Sequence, residues 1–519
     1  MSNFIREFWL AHAARWDNTL VVRFPPEPNG YLHIGHVKAL LANADLADAF
    51  GGTLLLRMDD TNPSAEKPEY EAGIIEDLNW LGVAFDPRVR YASDHFLGLL
   101  ALAWRLVDAG EAYVDLSSKE ALSAMRGDFN HPGTPSPDRS LPASEHRVRF
   151  ARIVSGDMAA GSGVLRAKMD LASPNMVLRD PVLWRRMDHA HPRLPGWVSF
   201  PTYDFAHPFC DLRDGVSLSL CSLEFEDHRP LYDHVVALAL AHGLGLGVAA
   251  PMELEFARLD PDVGMTSKRT VRSAVESGAV TGWDDPRLLT LRGLRSRGYA
   301  PDMIKRFVRR LGVGRALSKA PMGWLDEEVR SVAGNTPAGF AIADPLPLHI
   351  SGTLPEAITL PDGRAIAPDA NCLVSREDVR SIPEPGFYRL SPGAVVRLMG
   401  WGGFLTVDNV ETDPLGYLLS ISGRFHSEGK SKATVHVLPR AACLVGELIH
   451  THTWDGVCDP ATCETKMPLA VEHGAADLAG TFHAPRLGWL HAMDGTKWRL
   501  LAGMVARPAV SERTPHRSA

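Results

Sequence analysis

The stretch RFPPEPNGYLHIGH, residues 23–36, decides the fold of this 519-residue chain. It continues the apolar run that begins at residue 19, and its Pro-Pro pair stops that run as at the end of a buried strand. Beyond the second histidine, apolar residues recur at helical spacing to about Phe50, where Gly51-Gly52 end the pattern. The sequence therefore predicts a strand over 19–24, a turn, and a helix over 36–50.

Strand and helix patterns continue to alternate along the chain. TLLLRMDD (53–60) is strand-like, EKPEYEAGIIEDLNWLG (66–82) is helical with early acids, and RVRYASD (88–94) is extended. Further on, VSLSLCSLEFED (216–227) and PMELEFARL (251–259) have strand patterns, with a helical stretch between them. A β-α-β-α order of this kind predicts a parallel sheet of the doubly wound type.

Changes in residue composition and pattern along the sequence divide the chain into candidate domains. Loop-rich sequence interrupts the sheet pattern, a basic helical stretch follows it, and short strands with Gly/Pro turns occupy the last third, as in β-barrels. We expect a sheet domain in two halves (1–93 and 203–258), an inserted domain (94–202), a helical subdomain (259–330), two β-barrels (331–506) and a disordered tail (507–519).

The composition is that of an ordinary soluble globular protein, with 45% hydrophobic residues, 22% charged residues and a net charge of −8. The N-terminal segment carries charged residues among its apolar positions, so it is neither a signal peptide nor a membrane anchor. The six cysteines are scattered, which favours a reducing compartment over a disulfide framework. We therefore expect a cytoplasmic, monomeric protein with no membrane partner.

The net negative charge hides a local basic cluster. Between Arg287 and Lys319 there are ten Arg/Lys residues and a single acid, Asp302. Within this range PDMIKRFVRRLG (301–312) predicts a helix that buries Ile304, Phe307, Val308 and Leu311 and turns Lys305, Arg306, Arg309 and Arg310 to solvent. The basic face is either an ordinary solvated surface or a track for a phosphate backbone.

Three groups follow predicted strands or lie in loops where a parallel sheet binds its ligands: His33 with His36, the Asp59-Asp60 pair, and the loop GMTSKR (264–269). Histidines in the first turn of a helix stand beside free backbone N–H groups, which makes an anion site. The alternatives are a surface pair or half of a metal site, although no cysteine or acid cluster nearby completes a zinc set. Neither the histidines nor the lysine loop decides the function alone.

Taken together and in this order, the motifs resemble those of the class I aminoacyl-tRNA synthetases, and within them the glutamyl/glutaminyl subfamily, nearer to its glutaminyl members. The resemblance is dense over roughly residues 19–315 and fainter beyond. It is carried by RFPPEPNGYLHIGH, LRMDDTNP, LRAKMDLASP, MVLRDPVLWRRM, PTYDFAHP, SLCSLEFEDHRPLYD, MTSKR and GWDDPRLLTLRGLRSRGY. It implies a Rossmann-like catalytic domain, an insertion that binds the acceptor stem, a helical subdomain with a KMSKS-like loop, and two barrels that read the anticodon.

The implied reaction is the ATP-dependent activation of an amino acid to its adenylate, followed by transfer to the terminal adenosine of a tRNA. His33, His36 and Lys268 would be catalytic, as positive or donor groups aimed at the charge on the triphosphate, and Mg²⁺ would shield the phosphates. The resemblance assigns ATP binding to Glu27, Pro28, Asn29, His33, Ile34, Gly35, His36, Val37, Lys38, Ala39, Ser222, Arg258, Leu259, Thr266, Ser267 and Lys268. It assigns tRNA binding to Asp227 and to the basic residues of the helix over 301–312.

For the amino acid, the resemblance points to Arg23, Asp59, Tyr203, His207, Cys221 and Glu253. Asp59 would pair with the α-ammonium group, although it could instead cap the next element, and Tyr203 could be a core residue. Cys221 stands where the glutamyl relatives carry an arginine. A neutral thiol offers a substrate carboxylate no partner, which favours glutamine over glutamate.

The chain departs from the family pattern in several places. Glu253 stands where glutaminyl members carry glutamine; it could sharpen the rejection of glutamate, signal a different amino acid, or be a solvent-facing charge. Ala338 replaces an arginine, and the segment 397–402 replaces a more polar strand, which should weaken anticodon reading. The segment 497–508 lacks the Phe-Asn-Arg-Thr-Val pattern usual near the family's C-terminus. Cys458 and Cys463 are either a metal pair with His450 or Cys443, or free thiols, and no metal site is assigned.

Three functions remain open at this stage. The leading one is a ligase that joins glutamine to tRNA, with tRNA-Gln as the expected acceptor. The second is a divergent paralogue that uses the same adenylation chemistry on another amino acid or acceptor. The third is a catalytically idle protein that binds RNA, against which the intact His33, His36, Asp59 and Lys268 count.

Overall fold

The computed structural model describes residues 3–245, 247, 249–332, 339–360, 363–476, 481–484, 487–494 and 496–503. The N-terminal part forms a parallel sheet in which β1 pairs with β2 and β2 with β3. Its elements are α1 (Asn3–His12), β1 (Val21–Phe24), α2 (Ile34–Phe50), β2 (Thr53–Met58), α3 (Pro68–Leu81) and β3 (Arg90–Tyr91). The predicted helix begins two residues earlier than expected, and Gly51 ends it at a φ of 61°.

An antiparallel sheet of four strands interrupts the parallel one. Its strand order is β4-β5-β6-β7, and Phe96, Phe150, Trp184 and Phe200 pack in a core that also includes side chains of the helices over 203–214 and 229–241. The elements of this segment are α4 (Phe96–Asp108), β4 (Ala112–Asp115), α5 (Lys119–Arg126), α6 (Ala143–Ser155), β5 (Val164–Ala167), β6 (Val182–Arg186) and β7 (Ser199–Pro201).

The chain then returns to the parallel sheet through α7 (Tyr203–Asp214), β8 (Leu218–Ser222), α8 (Arg229–Ala241) and β9 (Met252–Phe256). β8 pairs in parallel with β9, and the backbone N–H of Ser217 donates to the carbonyl of Val21 at 2.9 Å, which places β8 beside β1. The expectation of a doubly wound parallel sheet is confirmed. The strand predicted over 216–227 is wrong beyond Ser222, because Leu223–His228 form a 3-10 turn.

The segment after the sheet is mainly helical, as predicted. Its elements are β10 (Asp260–Pro261), α9 (Lys268–Glu276), α10 (Leu291–Arg297), α11 (Pro301–Leu311), β11 (Lys319–Ala320) and α12 (Gly323–Val332). In α11, Ile304, Phe307 and Val308 are buried as expected. Met303 completes the buried stripe, whereas Leu311 is only half-buried, because the helix ends at Gly312.

Two barrel-like sheets form the C-terminal part, with strand orders β20-β17-β18-β19-β13-β16-β21 and β12-β23-β22-β26-β25-β24. The elements are β12 (Ala341–Ala343), β13 (Pro345–Ser351), β14 (Ile358–Thr359), β15 (Ala365–Ile366), β16 (Asn371–Ser375), β17 (Val395–Leu398), β18 (Gly403–Thr412), β19 (Leu418–His426), β20 (Thr434–Val435), β21 (Val437–Pro439), β22 (Cys443–Thr451), β23 (Glu464–Glu472), α13 (His473–Ala476), β24 (Thr481–Ala484), β25 (Gly488–Asp494) and β26 (Lys497–Gly503). Ala338 and the tail over 507–519 lie outside the described residues. Among the helices that are described, none is long and apolar enough to cross a membrane.

Candidate active site

The two histidines form a hydrogen-bonded unit at the N-terminus of α2. His33 is the N-cap residue, and its Nδ1 accepts from the backbone N–H of Gly35 at 3.1 Å. The Nδ1 of His36 accepts in turn from the backbone N–H of His33, also at 3.1 Å, and the two ring centroids are 3.7 Å apart. Because Nδ1 is the acceptor in both rings, Nε2 carries the proton of each neutral imidazole.

Both imidazoles are uncharged at neutral pH. Burial, reinforced by the charge of Lys268, lowers the pKa of His33 to about 3. Burial also lowers the pKa of His36 well below its usual range, and the neighbouring His33 and Lys268 act in the same direction. The sequence allowed these histidines to be either positive groups or donors. The geometry makes them neutral Nε2–H donors, which leaves Lys268 as the charged member of the group.

Lys268 reaches the same turn from a distant part of the chain. It is the first residue of α9, and its Nζ donates to the carbonyl of Glu27 at 2.8 Å and to Oδ1 of Asn29 at 2.7 Å. Arg272, one turn further along α9, donates to the carbonyl of Asn29. Burial lowers the pKa of Lys268 to about 8, so the ammonium form still predominates at pH 7.

The other residues assigned to ATP differ in where they lie. The side chains of Ile34, Val37 and Leu259 are buried in the core, so only their backbone can face a ligand. Lys38 lines a pocket of about 320 Å³ between α1, α2 and α11. At the ends of β8 and β9, Arg258 and Ser222 both donate to the Glu224 carboxylate. The remaining residues lie in or near one of two segments: the turn that leads to His33 and His36, or the segment 264–268 that ends at Lys268, here named the lysine turn. They are Glu27, Pro28, Asn29, Gly35, Ala39, Thr266 and Ser267.

A second group lies where β1, β8 and α7 meet. The Arg23 guanidinium contacts Nε2 of His207 at 2.7 Å, Sγ of Cys221 at 3.4 Å and Oγ of Ser219 at 2.5 Å. It also donates to the carbonyl of Leu220 at 2.9 Å. Burial raises the pKa of the Cys221 thiol to about 12, so the sulfur stays neutral. Arg23, His207 and Cys221 therefore form one buried cluster, although they come from three different elements.

This cluster depends on residues that the sequence did not single out. Asp211, one turn after His207 on α7, is fully buried and accepts from Arg23 at 3.4 Å and from Arg57 at 2.6 Å. The hydroxyl of Tyr232 donates to its second oxygen at 3.0 Å. The nearby positive charges hold the pKa of Asp211 below its usual range despite its burial. In the sequence, the signal for Asp211 was its position four residues after His207. This spacing alone predicts only that the two side chains are neighbours on a helix.

The two acids after β2 have different environments. Asp59 is half-buried and accepts from the hydroxyl of Thr61 at 2.9 Å. Burial, with a smaller effect of Glu27, raises the pKa of Asp59 to about 6. Asp60 instead accepts from the backbone N–H and the hydroxyl of Ser93, at 2.8 and 2.5 Å. Asp59 therefore keeps a free oxygen for a ligand, whereas Asp60 ties β2 to the segment after β3.

Tyr203 and Glu253 complete the surroundings of His207. The Tyr203 ring stacks on the imidazole with centroids 5.0 Å apart and planes 9° apart, and it is half-buried rather than in the core. Glu253, in β9, is only 6% exposed, and its Oε1 lies 3.8 Å from Nε2 of His207. Glu253 is therefore buried beside His207, which corrects the alternative of a solvent-facing charge.

Three of these side chains could offer ligands to a metal. Donor atoms of His207, Cys221 and Glu253 lie within 4.8 Å of one another in the part of the chain that the structure describes. However, the Arg23 guanidinium already contacts the first two. A second cation at that place would meet like-charge repulsion, so the cluster fits a metal poorly.

The residues assigned to tRNA are exposed, except that Lys305 is half-buried, contrary to the prediction that it faces solvent, and several are already paired. On α11, Lys305 lies 3.0 Å from Asp302, Arg309 lies 2.6 Å from Asp45 and Arg310 lies 2.7 Å from Glu327. Arg306 is exposed and has no ion pair within the described ranges. Asp227 is also exposed, and its carbonyl accepts from the Asn175 amide at 2.6 Å.

The fold and these two clusters agree with the family that the sequence pattern resembles. The family model for the catalytic domain of class I tRNA synthetases (E and Q) matches residues 19–322. The chain therefore belongs to the class I aminoacyl-tRNA synthetases of the glutamyl/glutaminyl type, as the motifs predicted.

Curated relatives carry more specific names. A glutamine–tRNA ligase from Cupriavidus taiwanensis is 41% identical over 439 residues, which covers 80% of this chain and 74% of the relative. A glutamine–tRNA ligase from Nitrobacter hamburgensis is 38% identical over 86% of this chain and 83% of its own length. Among solved structures, a glutamate–tRNA ligase from Elizabethkingia meningosepticum aligns with 60% of this chain and 69% of its own, at 20% identity and a TM-score of 0.43, a likeness too loose to carry an argument.

Proposed function

We propose that this protein is a glutamine–tRNA ligase, which activates glutamine with ATP and transfers it to the terminal adenosine of a tRNA. The observation that carries the proposal is the approach of Lys268 to the turn before His33. Its ammonium group bonds to Glu27 and Asn29, although about 240 residues separate them in the chain. A triphosphate that displaced these two acceptors would lie between the ammonium and the N-terminus of α2.

The chemistry of adenylate formation suits this arrangement. Attack of a carboxylate on the α-phosphate releases pyrophosphate, and negative charge grows on the departing oxygens. Lys268 supplies a positive charge, and the Nε2–H groups of His33 and His36 supply donors held in place by backbone hydrogen bonds. Donors that are fixed before the reaction stabilise such charge without reorganisation, and this effect usually contributes more to catalysis than any other.

Mg²⁺ would enter with the nucleotide. Near Lys268 the nearest acids are Glu27 and Asp59, which influence the pKa of that lysine. Mg²⁺ commonly takes one or two carboxylates and completes its shell with phosphate oxygens and water, so Glu27 fits the ion only together with a bound triphosphate, because the free oxygen of Asp59 would hold the amino acid. The ion would add positive charge to the leaving group.

The pocket around His207 favours glutamine over glutamate. The positive charge of Arg23 is balanced by Asp211, and its N–H groups already contact His207, Ser219 and the carbonyl of Leu220. No free cation therefore remains for a substrate carboxylate among the described residues of this pocket, and Glu253 would repel one. An amide side chain could instead donate its NH₂ to Glu253. Asp59, with its free oxygen, would hold the α-ammonium group.

We infer that the tRNA follows the basic face of α11 and that the predicted units keep their assigned roles. The insertion (94–202) would bind the acceptor stem, and the two C-terminal sheets would contact the anticodon arm. The altered segment over 397–402 includes Leu398, which is buried, and the exposed Arg397, which can still meet a phosphate. A monomeric state and a cytoplasmic location stay predictions of the sequence.

ATP–pyrophosphate exchange tests the proposal. The purified chain should be assayed with each of the twenty amino acids, with and without total tRNA, in the presence of Mg²⁺. We expect exchange with glutamine that depends on added tRNA, and little exchange with glutamate. A catalytically dead control, Lys268→Ala, should give no signal above background.

Two other outcomes would replace the proposal. Exchange with another amino acid would support a paralogue of altered specificity, for which an amine-bearing substrate beside Glu253 is the first candidate. No exchange with any amino acid would support an idle RNA-binding protein. The preorganised histidines and lysine argue against the second outcome, because an unused triphosphate site has no reason to keep all three.

A further inference from the structure

The loop over residues 454–463, here named the cysteine loop, packs directly on the segment that carries Lys268. Trp454 and Cys463 are 7% and 5% exposed, and they belong to the same buried cluster as Val271 and Ala274 of α9. The backbone N–H of Trp454 donates to the carbonyl of Arg287 at 2.9 Å. The cysteine loop therefore links the second C-terminal sheet to the catalytic half of the molecule.

A close contact between Gly456 and the Met265 side chain extends this interface to the lysine turn. A Cβ atom added to Gly456 would lie 2.6 Å from Cε of Met265, well inside van der Waals contact. Met265 belongs to the turn that ends at Lys268, the first residue of α9. The methionine end is flexible and can yield to a small shift, so the packing of Trp454 and Cys463 against α9 is the firmer link between the cysteine loop and this segment.

The same loop holds two thiols side by side. The Sγ atoms of Cys458 and Cys463 are 3.8 Å apart, and neither is in a disulfide. All six cysteines lie in the described part of the chain, and Cys458 alone among them is exposed. Burial raises the pKa of Cys463 to about 11, with Cys458 contributing, so Cys463 stays protonated. The exposed thiol is thus the one that an oxidant meets first.

We propose that Cys458 and Cys463 form a reversible disulfide when the protein meets a peroxide, and that this bond lowers the activity by displacing the lysine turn. In the first step, the Cys458 sulfur attacks the peroxide, an S–O bond forms, the O–O bond breaks, and the leaving oxygen takes the thiol proton as water. In the second step, the Cys463 sulfur attacks the sulfenic acid, an S–S bond forms, and the hydroxyl leaves with the second proton as water. Two thiols and one hydrogen peroxide give one disulfide and two waters.

The geometry indicates which part must move. The sulfurs have to close from 3.8 Å to about 2.05 Å, the length of an S–S bond. Cys463 is fixed in the buried cluster, so most of the movement falls on Cys458. The carbonyl of Cys458 accepts from Nε1 of Trp454 at 2.8 Å, so its movement pulls on the indole that packs against α9.

The test compares reduced protein, peroxide-treated protein and peroxide-treated protein that is then reduced with dithiothreitol. One tryptic peptide, residues 441–466, holds both cysteines together with Cys443. A disulfide removes the mass of two hydrogen atoms from this peptide, and fragmentation of the peptide shows whether residues 458 and 463 are the linked pair. Hydrogen exchange of the amides over 264–276 reports on the lysine turn. ATP–pyrophosphate exchange with glutamine should fall by about tenfold or more, because a small misplacement of a positioned group costs that much.

Two variants serve as controls. Cys458→Ser removes the exposed thiol and should keep full activity, resist peroxide and show unchanged amide exchange. Cys372→Ser removes a buried thiol of the other C-terminal sheet and should remain as sensitive as the wild type. The loss in the wild type should be restored by dithiothreitol.

The activity measurement relies on the proposed ligase function, whereas the peptide mass and the amide exchange do not. An inactive but readily oxidised protein would therefore contradict the ligase and not the disulfide. A wild-type peptide that gains oxygen without losing two hydrogens would overturn the disulfide. A disulfide that leaves amide exchange over 264–276 unchanged, or an equal loss of activity in Cys458→Ser, would overturn its link to the lysine turn.

Discussion

At the scale of single residues, Lys268 is the group on which the proposed chemistry depends. Its ammonium group contacts the turn before His33, and the histidines themselves are neutral. Charge stabilisation by the protein's own side chains at this place therefore falls mainly to one residue, whereas the imidazoles contribute directed donors. The charge of Lys268 and the N–H donors of the two histidines can therefore be tested separately.

Replacing Lys268 by alanine should lower ATP–pyrophosphate exchange by about a hundredfold or more, the usual cost of a lost charge-stabilising donor. The thermal midpoint should hardly change, because the lysine is held by a carbonyl and an amide rather than by an ion pair. Arg269→Ala, at the adjacent and exposed position, is the matched control and should be nearly silent. Equal rates for Lys268→Ala and the wild type would remove this lysine from the mechanism.

The same lysine predicts how activity depends on pH. Its pKa is lowered to about 8 by burial, and the protonated form is the one that attracts the triphosphate. The value of kcat/KM for ATP should therefore be high below pH 8 and should decline as the pH rises through 8, because the ammonium loses its proton. In Lys268→Arg, whose guanidinium stays charged, this alkaline limb should disappear from a profile measured between about pH 6.5 and 9.5. An unaltered limb in the variant would assign the titration to another group.

Glu253 should contribute to the choice of amino acid. Its carboxylate lies in the pocket beside His207, so it repels an anionic side chain and accepts from an amide. Glu253→Gln should raise the use of glutamate relative to glutamine by about tenfold or more, since like charges in contact cost several kcal/mol. The ratio of kcat/KM values for the two amino acids measures this effect. Glu224→Gln, at an exposed carboxylate after β8, should leave the ratio unchanged.

At the scale of elements, α7 organises the site that we propose for the amino acid. One face of this helix presents Tyr203, His207 and Asp211 at intervals of four residues to β1 and β2. The helix thereby holds two buried arginines: Arg23 and Arg57 both pair with Asp211, and Arg57 also pairs with Asp214 at 3.1 Å. A helical face placed against two strands can fix side chains that are far apart in the sequence, as a loop of the same length could not.

Asp211→Asn should destabilise the protein by about 3–5 kcal/mol, because it leaves the buried Arg23 guanidinium without its counter-charge and leaves Arg57 with Asp214 alone. Unfolding in urea, followed by tryptophan fluorescence, measures this loss. Asp108→Asn breaks an exposed ion pair with Arg147 and should cost no more than about 1 kcal/mol. A similar small cost for both variants would show that water or a shifted side chain compensates at Asp211.

At the scale of the whole molecule, a net charge of −8 has to be reconciled with a polyanionic partner. The basic residues of α11 supply local positive charge, but three of them are already paired with acids. Arg306 is exposed without an ion pair among the residues that the structure describes. The surface that remains for a phosphate backbone is therefore narrower than the sequence pattern suggests.

Arg306→Ala should weaken the binding of tRNA and should reduce the slope of log affinity against log salt by about 1, as for one lost phosphate contact. Arg310→Ala is the control on the same helix, because this side chain is paired with Glu327 and lies over the Trp324 ring. Its effect should be smaller. Binding is measured by filter retention at several salt concentrations. Equal slopes for the wild type and Arg306→Ala would place the tRNA on another surface.

The sequence by itself determined the doubly wound sheet, the helix that opens with His33 and His36, and the family, because each depends on local spacing, on Gly and Pro signals and on contiguous motifs. It did not decide whether Glu253 is buried or faces solvent, it did not determine the charge of the two histidines, and it did not single out Asp211. Only the tertiary structure decided these points. Burial and a counter-charge are properties of how β1, β2, α7 and β9 pack together, and neighbours that are distant in the chain set the pKa of each group.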